Sequence, residues 1–374
     1  MKKKLIIIAV VLIVLGLVSG ALYLYQIKTR NAVNELVANK KIINVLLSGV
    51  NSYKERKFDF FAILSLNPDN NNIGITFIPP SFKIQMGSSE KDIQRIDEVD
   101  FLYFDKMTQS ISRDLKIQIP FYIELYATDG VRITDMLEGI NIYYLDQQGC
   151  DKFAKPGLNY FNGHKLMQYI NSVEQNSIYL KYDRIMDVIL TLYYNNREDK
   201  IKFLKPEFVS ELIYSLQTNL LPQELFSLSQ FLSKESEIFY TILPGDLRDN
   251  YYVTDDLALK MYENEFLKRL VVGTDGDITH KIMILNATSV TGLARKMRNV
   301  LNREGYNVVE FGTSNFGEME KSMVISRKGD HAFVQKLSEL TGIPTIHYII
   351  DNSLLYNTLI IIGKDLASEE EVGN

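Results

Sequence analysis

An uncharged stretch at residues 5–25 constrains the organisation of this chain more than any other feature of its sequence. A helix of this length measures roughly 31 Å at about 1.5 Å per residue, close to the thickness of the hydrocarbon core of a bilayer. No other segment of the sequence is comparably long and apolar. The sequence therefore predicts one N-terminal transmembrane helix, with the rest of the chain on one side of a membrane.

The residues before this stretch and near its end indicate its orientation in the membrane and whether it is cleaved. Lysines at positions 2–4 precede it, and this positive charge favours a cytoplasmic N-terminus. A cleaved signal peptide is the alternative, because Ser19 and Ala21 are small and suitably spaced, but its apolar region usually has only about 7–15 residues. We therefore expect a cytoplasmic tip (1–4), a signal anchor (5–25), a helical stalk (26–41) and an extracytoplasmic bulk, periplasmic or at the cell surface.

Composition argues against several classes of site. Cys150 is the only cysteine, so the sequence offers no intramolecular disulfide and no CxxC metal or redox motif. The four histidines show no HxxxH or HExxH spacing and are interpreted as ordinary core or surface residues. The net charge is −5 and the sequence has no basic cluster, so nucleic acid is not an expected partner.

Short apolar runs after the stalk predict a β-sheet at 42–47, 60–66 and 73–78. Each run ends at a turn signal: Ser48-Gly49, Asn67-Pro68 and Pro79-Pro80. Because the runs are continuously apolar rather than alternating, we expect a sheet that is covered on both faces. Helices are predicted at 93–115, 127–137, 180–194 and 203–231, with Pro206 and Pro222 in first turns.

A polar, glycine-bearing segment at 273–277 is the best candidate for a domain boundary. The unit that follows, at 278–366, has the order β-α-β-β-α-β, and we expect it to fold independently with its helices on one face of a small sheet. Its strands are predicted at 281–285, 306–311, 323–326 and 358–362, and its helices at 290–303 and 330–340. A charged tail at 367–374 is expected to be disordered.

Several motifs resemble, in order and spacing, the LytR-CpsA-Psr (LCP) family. The first is INVLLSGVN at 43–51, followed by Asp59, AILSLNP at 62–68 and FIP at 77–79. Later landmarks are LEGIN at 137–141, PGLNYFNG at 156–163 and LPG at 243–245. ILNATSVTGLA at 284–294 resembles the start of the LytR C-terminal domain, and IIGKD at 361–365 resembles its end. The resemblance covers about 42–366.

This resemblance implies both a fold and a function. LCP domains are α/β/α sandwiches with a mixed central sheet, an apolar tunnel for a lipid tail, arginines for its pyrophosphate and aspartates for a divalent cation. They transfer glycopolymers from polyprenyl-pyrophosphate carriers to peptidoglycan or another envelope acceptor. Guanidinium groups bind phosphate oxygens bidentately, and a magnesium ion stabilises charge in phosphoryl transfer. We therefore expect an LCP-like domain at 42–272 and a LytR C-terminal-like domain at 278–366.

The chain departs from this family where the family carries charge. The family's first aspartate aligns with Asn51, while the second is kept as Asp59. The arginine and the aspartate of the family's Ile-Pro-Arg-Asp motif align with Pro80 and Ser81. Proline has neither charge nor a backbone N–H, so this position has lost both means of binding a phosphate.

A second arginine motif is also changed. After a preserved Tyr169, the paired arginines of Tyr-x-Arg-x-Arg align with Asn171 and Val173. The downstream Gly-Arg-x-x-Arg-Gln segment aligns with Lys181 and Arg184. Neutral residues therefore occupy four positions at which the family has a positive charge or a metal ligand: Asn51, Pro80, Asn171 and Val173.

Three residues remain as candidates for the site. Lys181 and Arg184 lie three residues apart on one predicted helix, so they share a face that either contacts a phosphate or faces solvent. Asp59 is either a magnesium ligand or a turn-capping carboxylate. Arg56 and Lys57 are further candidates to replace the lost positive charge.

Two functions remain open. The first is a cell-envelope protein that binds a polyprenyl-linked glycan or peptidoglycan without efficient catalysis. The second is an active glycopolymer phosphotransferase with a remodelled site, for which the cofactor is unknown and magnesium is the candidate. Gene regulation, which an older name of the family suggests, is not expected, because the sequence has no helix-turn-helix pattern and the predicted anchor places both domains outside the cytoplasm.

Overall fold

The computed structural model describes residues 31–50, 57–145, 154–171, 177–195, 216–232, 234–273 and 280–367. Within these ranges the chain has a mixed α/β fold with two large mixed sheets. No helix of the described part is long and apolar enough to cross a bilayer. The predicted anchor at 5–25, residues 368–374 of the predicted tail, Cys150 and Pro206 lie outside the described residues. Ala367, which was predicted to belong to the disordered tail, is instead buried.

The larger domain is organised around a six-stranded sheet with the order β10-β3-β2-β1-β6-β9. The strand pairs β1/β6 and β3/β10 are parallel, and the other three pairs are antiparallel. The apolar runs near 42–47, 60–66 and 73–78 become its three central strands, as predicted. The strand bounds are β1 Ile43–Val50, β2 Phe58–Leu66, β3 Ile73–Phe77, β6 Phe121–Tyr126, β9 Gln217–Thr218 and β10 Ile238–Ile242.

Two hydrophobic clusters cover the two faces of this sheet, which confirms the expectation drawn from the continuously apolar strands. Alternate residues of one strand point to opposite clusters, as Val45 and Leu46 do in β1. On the Val45 face pack the helices α1 Ala32–Ala38, α5 Ile178–Leu190 and α6 Pro222–Leu232. On the Leu46 face pack α2 Phe104–Asp114 and the π-helical segment Tyr262–Leu267, which joins α7 Asp256–Met261 to α8 Lys268–Val272.

Smaller elements complete the larger domain. Three hairpins pair β4 Lys83–Gln85 with β5 Ile93–Arg95, β7 Ile140–Tyr144 with β8 Gly157–Phe161, and β11 Asp246–Arg248 with β12 Tyr251–Val253. Helices α3 Ala127–Met136 and α4 Gly163–Asn171 pack against each other. A Cβ on Gly163 would lie 2.2 Å from the carbonyl oxygen of Val131, so only glycine permits this approach.

Two of the predicted helices were partly wrong. In the stretch 93–115 only the second half is α-helical, because Ile93–Arg95 forms a strand that pairs with Lys83–Gln85. In the stretch 203–231, Gln217–Thr218 forms an edge strand on β6, and the backbone N–H of Tyr122 donates to the side chain of Asn219. Within the described part of this stretch, from residue 216 onward, a helix runs from Pro222 to Leu232, and Pro222 occupies its first turn as predicted.

Part of the predicted stalk belongs to the larger domain. Helix α1 lies within the stalk at 26–41, but its Val33 is completely buried in the cluster under the sheet. The backbone N–H of Ala32 donates to Glu224 at 2.8 Å, and the side chain of Asn31 donates to Ser227 at 2.9 Å. The packed domain therefore begins about ten residues before the predicted boundary at 42.

The C-terminal domain matches the sequence pattern closely and adds one strand. Its five-stranded sheet has the order β14-β13-β17-β15-β16. The extra strand is β16, which has only three residues and pairs in parallel with the edge of β15, so it gave no periodic signal. The bounds are β13 Lys281–Asn286, α9 Leu293–Arg303, β14 Asn307–Thr313, β15 Met323–Ser326, α10 His331–Thr341, β16 Ile346–Tyr348 and β17 Thr358–Ile362.

Both helices of this domain lie on one face of its sheet, as predicted. Leu301 of α9 and Leu337 of α10 belong to the same buried cluster as Ile284 and Ile360 of the strands. That cluster continues without interruption into the core of the larger domain. The opposite face of the sheet packs on Leu145, which follows β7 of the larger domain. The two domains are therefore joined by buried apolar contacts.

Candidate functional site

A β-bulge brings Asp59 to the face of the sheet on which α5 packs. Gly49 pairs with Phe60 and Val50 pairs with Phe58, so Asp59 is an extra residue between them. Such a bulge re-aims side chains, here placing Asp59 beside Phe60. A Cβ on Gly49 would lie 2.8 Å from the Cβ of Phe60 and 3.3 Å from the carboxylate of Asp59. The glycine therefore leaves the room that the bulge requires.

Lys181 of α5 meets this carboxylate. Its Nζ lies 2.9 Å from Oδ2 of Asp59, although the two residues are 122 positions apart in sequence. The lysine side chain is only 14% exposed, whereas that of Asp59 is 43% exposed. The structure thus joins two of the three predicted site residues, but it joins them as an ion pair that neutralises the charge of both.

Arg184 lies one turn further along α5 and contacts α4 instead. Its guanidinium lies 4.6 Å from the centre of the Tyr169 ring, and its Nη1 donates to the carbonyl oxygen of Tyr169 at 3.0 Å. A cation is favourable here, because the C-terminal carbonyls of a helix carry partial negative charge. Arg184 is partly buried in this position, so it is oriented by Tyr169.

The turn that carries Pro80 is fixed from α5 as well. The hydroxyl of Tyr182 donates to the carbonyl oxygen of Ile78 at 3.0 Å, immediately before the two prolines. The carbonyl oxygen of Pro80 accepts the backbone N–H of Asp97 at 3.1 Å, and that of Ser81 accepts the N–H of Tyr252 at 2.8 Å. This turn provides no positive charge at the position where the resemblance to LCP domains led us to expect an arginine.

Three aromatic rings fill the space between the sheet and α5 behind the ion pair. The ring of Tyr182 is stacked on Phe77, with their centres 4.4 Å apart. Phe60 contacts both rings edge-on, with centres 5.9 Å from Phe77 and 6.4 Å from Tyr182. Burial raises the pKa of the Tyr182 phenol far above its ordinary value, so this hydroxyl stays a neutral donor.

The described residues around Asp59 do not fit a divalent cation. The carboxylate faces the ammonium of Lys181, which would repel a metal ion at the same oxygen. Among the described residues, no group of three or more His, Cys, Asp or Glu side chains is arranged to hold a metal. Asn51 and Arg56 lie outside the described residues, as does Val173, and Lys57 is exposed.

Two carboxylates on α5 were missed by sequence reasoning. Asp187 is 2% exposed and Asp183 is 5% exposed, yet they lie on the same helix as Lys181 and Arg184. Both accept hydrogen bonds from a loop of the C-terminal domain: Asp187 from the backbone N–H of Ile350, and Asp183 from the backbone N–H and side chain of Asn352. Aspartates within an apolar helical pattern were the available signal, because buried charges need partners.

Tyr169 connects these carboxylates to Arg184. Its hydroxyl donates to Oδ2 of Asp187 at 2.6 Å, and its ring and carbonyl oxygen contact Arg184. Burial raises the pKa of Asp187 to about 7, although the hydrogen bonds from Ile350 and Tyr169 act in the opposite direction. Burial also raises the pKa of Asp183.

Comparison with protein families identifies the C-terminal domain. Residues 279–365 match the model of the family described as LytR cell envelope-related transcriptional attenuator. A search of curated proteins gave no significant match to the chain.

Comparison with solved structures shows the fold of most of the chain. TagV of Bacillus subtilis is 18% identical, with a TM-score of 0.50 over 62% of this chain and 98% of its own. Protein gbs0355 of Streptococcus agalactiae is 16% identical, with a TM-score of 0.50 over 65% and 92%. The LytR-CPS2A-psr family protein YwtF (TagT) of Bacillus subtilis, with bound octaprenyl pyrophosphate lipid, is 15% identical, with a TM-score of 0.45 over 62% and 91%.

Proposed function

Since the chain has the fold of LytR-CpsA-Psr (LCP) proteins and ends in a LytR C-terminal domain, we propose that it is a cell-envelope protein that binds a polyprenyl-linked glycan or peptidoglycan without efficient catalysis. Its place is the cell membrane, with a single span at 5–25, a cytoplasmic N-terminus and both domains on the extracytoplasmic side. The lysines at 2–4 and the uncharged length of this segment support that topology.

The ion pair between Lys181 and Asp59 is the observation that carries this proposal. A pyrophosphate must lose much of its hydration on binding, and only fixed positive charge or a metal ion replaces it. Here the ammonium of Lys181 is held 2.9 Å from a carboxylate, and the family's arginine position is Pro80. Losing one preorganised donor typically lowers a rate by about 10²–10³, so a site that lacks several would turn over slowly.

Binding has a separate source of free energy. An isoprenoid tail contributes roughly 0.8 kcal/mol for each buried CH₂, independently of the headgroup. The rings of Phe60, Phe77 and Tyr182 provide apolar surface between the sheet and α5, directly behind the ion pair. A tail that enters here has to separate these rings, so we expect weaker binding than in a protein with an open tunnel. The C-terminal domain is the proposed contact to peptidoglycan.

Asp59→Asn gives the sharpest test of this proposal. The substitution frees Lys181 and removes a negative charge, so it should strengthen binding of octaprenyl pyrophosphate about 2- to 5-fold, as expected for a half-exposed ion pair worth up to about 1 kcal/mol. Lys181→Gln should weaken binding. Lys106→Gln is the matched control, because this lysine lies on α2 against the opposite face of the sheet. Affinities are measured with the full chain in detergent micelles, with and without magnesium.

Active phosphotransfer is the second candidate, and the two cations on one face of α5 favour it. If Asp59 holds magnesium during catalysis, Asp59→Asn should abolish both magnesium-dependent binding and cleavage of the pyrophosphate bond. A chain that cleaves its lipid carrier at the rate of an LCP protein with intact arginines, and loses this activity in Asp59→Asn or Arg184→Ala, contradicts the binding-only proposal. Stronger binding in Asp59→Asn without turnover supports it.

A further inference from the structure

We propose that the C-terminal domain sets the position of Arg184 through two intermediate side chains, Asp187 and Tyr169. This inference rests on the proposed function, because it gives Arg184 the task of contacting the anionic headgroup. Asp187 and Tyr169 are then positioning residues that touch no ligand themselves. The consequence is that docking of the C-terminal domain and binding of the anion favour each other.

The first link joins the two domains. Loop 350–352 of the C-terminal domain places the N–H of Ile350 on Oδ1 of Asp187. Asn352 adds two hydrogen bonds to Asp183, from its N–H at 3.2 Å and from its side-chain amide. The same amide lies 3.1 Å from the hydroxyl of Tyr240, in β10 of the larger domain. Helix α5 is therefore held by backbone and side-chain donors of the other domain.

The second link runs within the larger domain. The other carboxylate oxygen of Asp187 accepts the hydroxyl of Tyr169 at 2.6 Å, which fixes the rotation and tilt of that ring. Arg184 lies over the ring at 4.6 Å and donates to the carbonyl oxygen of the same residue. Three consecutive contacts thus lead from a C-terminal-domain N–H to the guanidinium.

Burial makes this connection stiff. Asp187 is 2% exposed and Tyr169 is 3% exposed, so neither side chain can replace a lost partner by water without opening the interface. If loop 350–352 moves away, Asp187 loses one of its two donors in an apolar surrounding. It then takes up a proton or rotates toward solvent, and either change alters its bond to Tyr169. The position of Arg184 changes with that ring.

Reciprocity follows from thermodynamics. A contact that couples two equilibria changes both by the same factor. A ligand that draws the C-terminal domain away from α5 should weaken binding of the pyrophosphate, and a bound pyrophosphate should hold the two domains together. The C-terminal domain then regulates the lipid site rather than only adding a second binding surface.

The test uses the full chain and two probes, octaprenyl pyrophosphate and octaprenol, in the same micelles. Asn352→Ala removes the side-chain contacts of loop 350–352 to Asp183 and Tyr240 and leaves the backbone N–H in place, and it touches neither Arg184 nor Lys181. Tyr169→Phe keeps the ring under Arg184 and deletes only the hydroxyl. Both variants should weaken the binding of octaprenyl pyrophosphate about 3- to 10-fold, in line with typical coupling free energies between sites. The binding of octaprenol should be unchanged. Asn302→Ala, on the exposed side of α9, is the control.

Asp187 itself provides the conservative rescue. Asp187→Ala should weaken the binding of octaprenyl pyrophosphate as much as Tyr169→Phe does, whereas Asp187→Asn should keep most of the wild-type affinity. An asparagine in this position can accept from Ile350 and donate to the Tyr169 oxygen. If these variants weaken the binding of both lipids equally, Asp187 and Tyr169 have only a structural role. An unchanged affinity for octaprenyl pyrophosphate in Asn352→Ala would overturn the inference.

A chain that does not bind the pyrophosphate lipid at all fails the proposed function but still tests the coupling. Amide hydrogen exchange is then measured in α4 and α5 without ligand. Asn352→Ala and Asp187→Ala should speed exchange in both helices, and Asn302→Ala should not. Exchange in α4 that stays at the wild-type rate in Asp187→Ala would refute the link through Tyr169.

Discussion

The two sets of charged residues on α5 differ in how firmly they are held. Lys181 is paired with a carboxylate that is 43% exposed, and pairs of this kind usually contribute about 0–1 kcal/mol. Asp183 and Asp187 are almost completely buried, and donors from the C-terminal domain satisfy them. The ion pair of Lys181 is thus weak, whereas the carboxylates of the helix are built into the domain interface.

This difference indicates which contacts of α5 contribute most to the stability of the fold. A buried carboxylate that loses its partners costs several kcal/mol, so the interface tolerates few substitutions. A half-exposed ion pair costs little to form or to break, so the contact between Lys181 and Asp59 adds little to the stability of the fold. The described contacts of α5 that contribute most to stability are therefore those that join the two domains.

The pH dependence of the free energy of unfolding should show the largest effect of the buried carboxylates of α5. Burial raises the pKa of Asp187 from 3.8 to about 7. The folded chain thus keeps a proton that the unfolded chain has lost, so this contribution is present at low pH and disappears as the pH rises through about 7. Between pH 5 and pH 8 it should lower the free energy of unfolding by roughly 2–3 kcal/mol.

Asp187→Asn isolates this contribution, because it cannot titrate. The groups that face Asp187 are Asp183 on α5, Tyr169 on α4, Tyr240 on β10 and Arg327 of the C-terminal domain. They remain in the variant, so the difference between the two pH profiles reports on Asp187. Denaturant unfolding at several pH values provides the measurement. If the profiles of the wild type and Asp187→Asn are parallel, Asp187 stays ionised in the folded chain. The buried carboxylates and the ion pair of Lys181 would then differ less in their contribution to stability than their burial implies.

Gly329→Ala should weaken the domain interface directly. Gly329 has a φ of +80°, and an added Cβ would lie 2.8 Å from the Tyr240 ring and 3.2 Å from Leu190 of the larger domain. Strain and crowding together should lower the free energy of unfolding by about 2 kcal/mol. Gly305→Ala is the matched control, with a φ of +84° and no atom within 4 Å of the added Cβ. If both variants lower the free energy of unfolding equally, the interface accommodates the added methyl group at little cost.

The sequence predicted the C-terminal domain better than the site. Strands such as Thr358–Ile362 and helices that end in glycine, such as His331–Thr341 before Gly342, give local signals that tertiary contacts do not override. For the larger domain, the continuously apolar strands predicted a sheet covered on both faces, whereas the mixed α/β architecture was expected from the resemblance to LCP domains. Ile93–Arg95 was missed because a three-residue strand has no periodicity of its own.

The site depends on contacts between distant residues, which a single sequence does not contain. Asp59 and Lys181 were chosen separately, as a metal ligand and a phosphate ligand, and nothing in their local patterns indicated that they pair. Loss of charge at Pro80 was visible, because Ile78-Pro79 fixed its register. The interface on Asp187 was not, since it requires the position of loop 350–352 relative to α5.

Arg184→Lys should have the smallest effect, and it tests whether the site face retains any function. A lysine cannot both lie over the Tyr169 ring and donate to its carbonyl oxygen as the planar guanidinium does, so we expect a stability loss of about 0.5–1 kcal/mol. Arg298→Lys is the matched control, because Arg298 lies 4.3 Å over Phe311 within the C-terminal domain and should cost a similar amount. Binding of octaprenyl pyrophosphate should separate them, weakening about 2- to 5-fold for Arg184→Lys alone. If the two variants lose stability equally and neither loses affinity, Arg184 serves only to stabilise the end of α4, and neither cation of α5 contacts the headgroup.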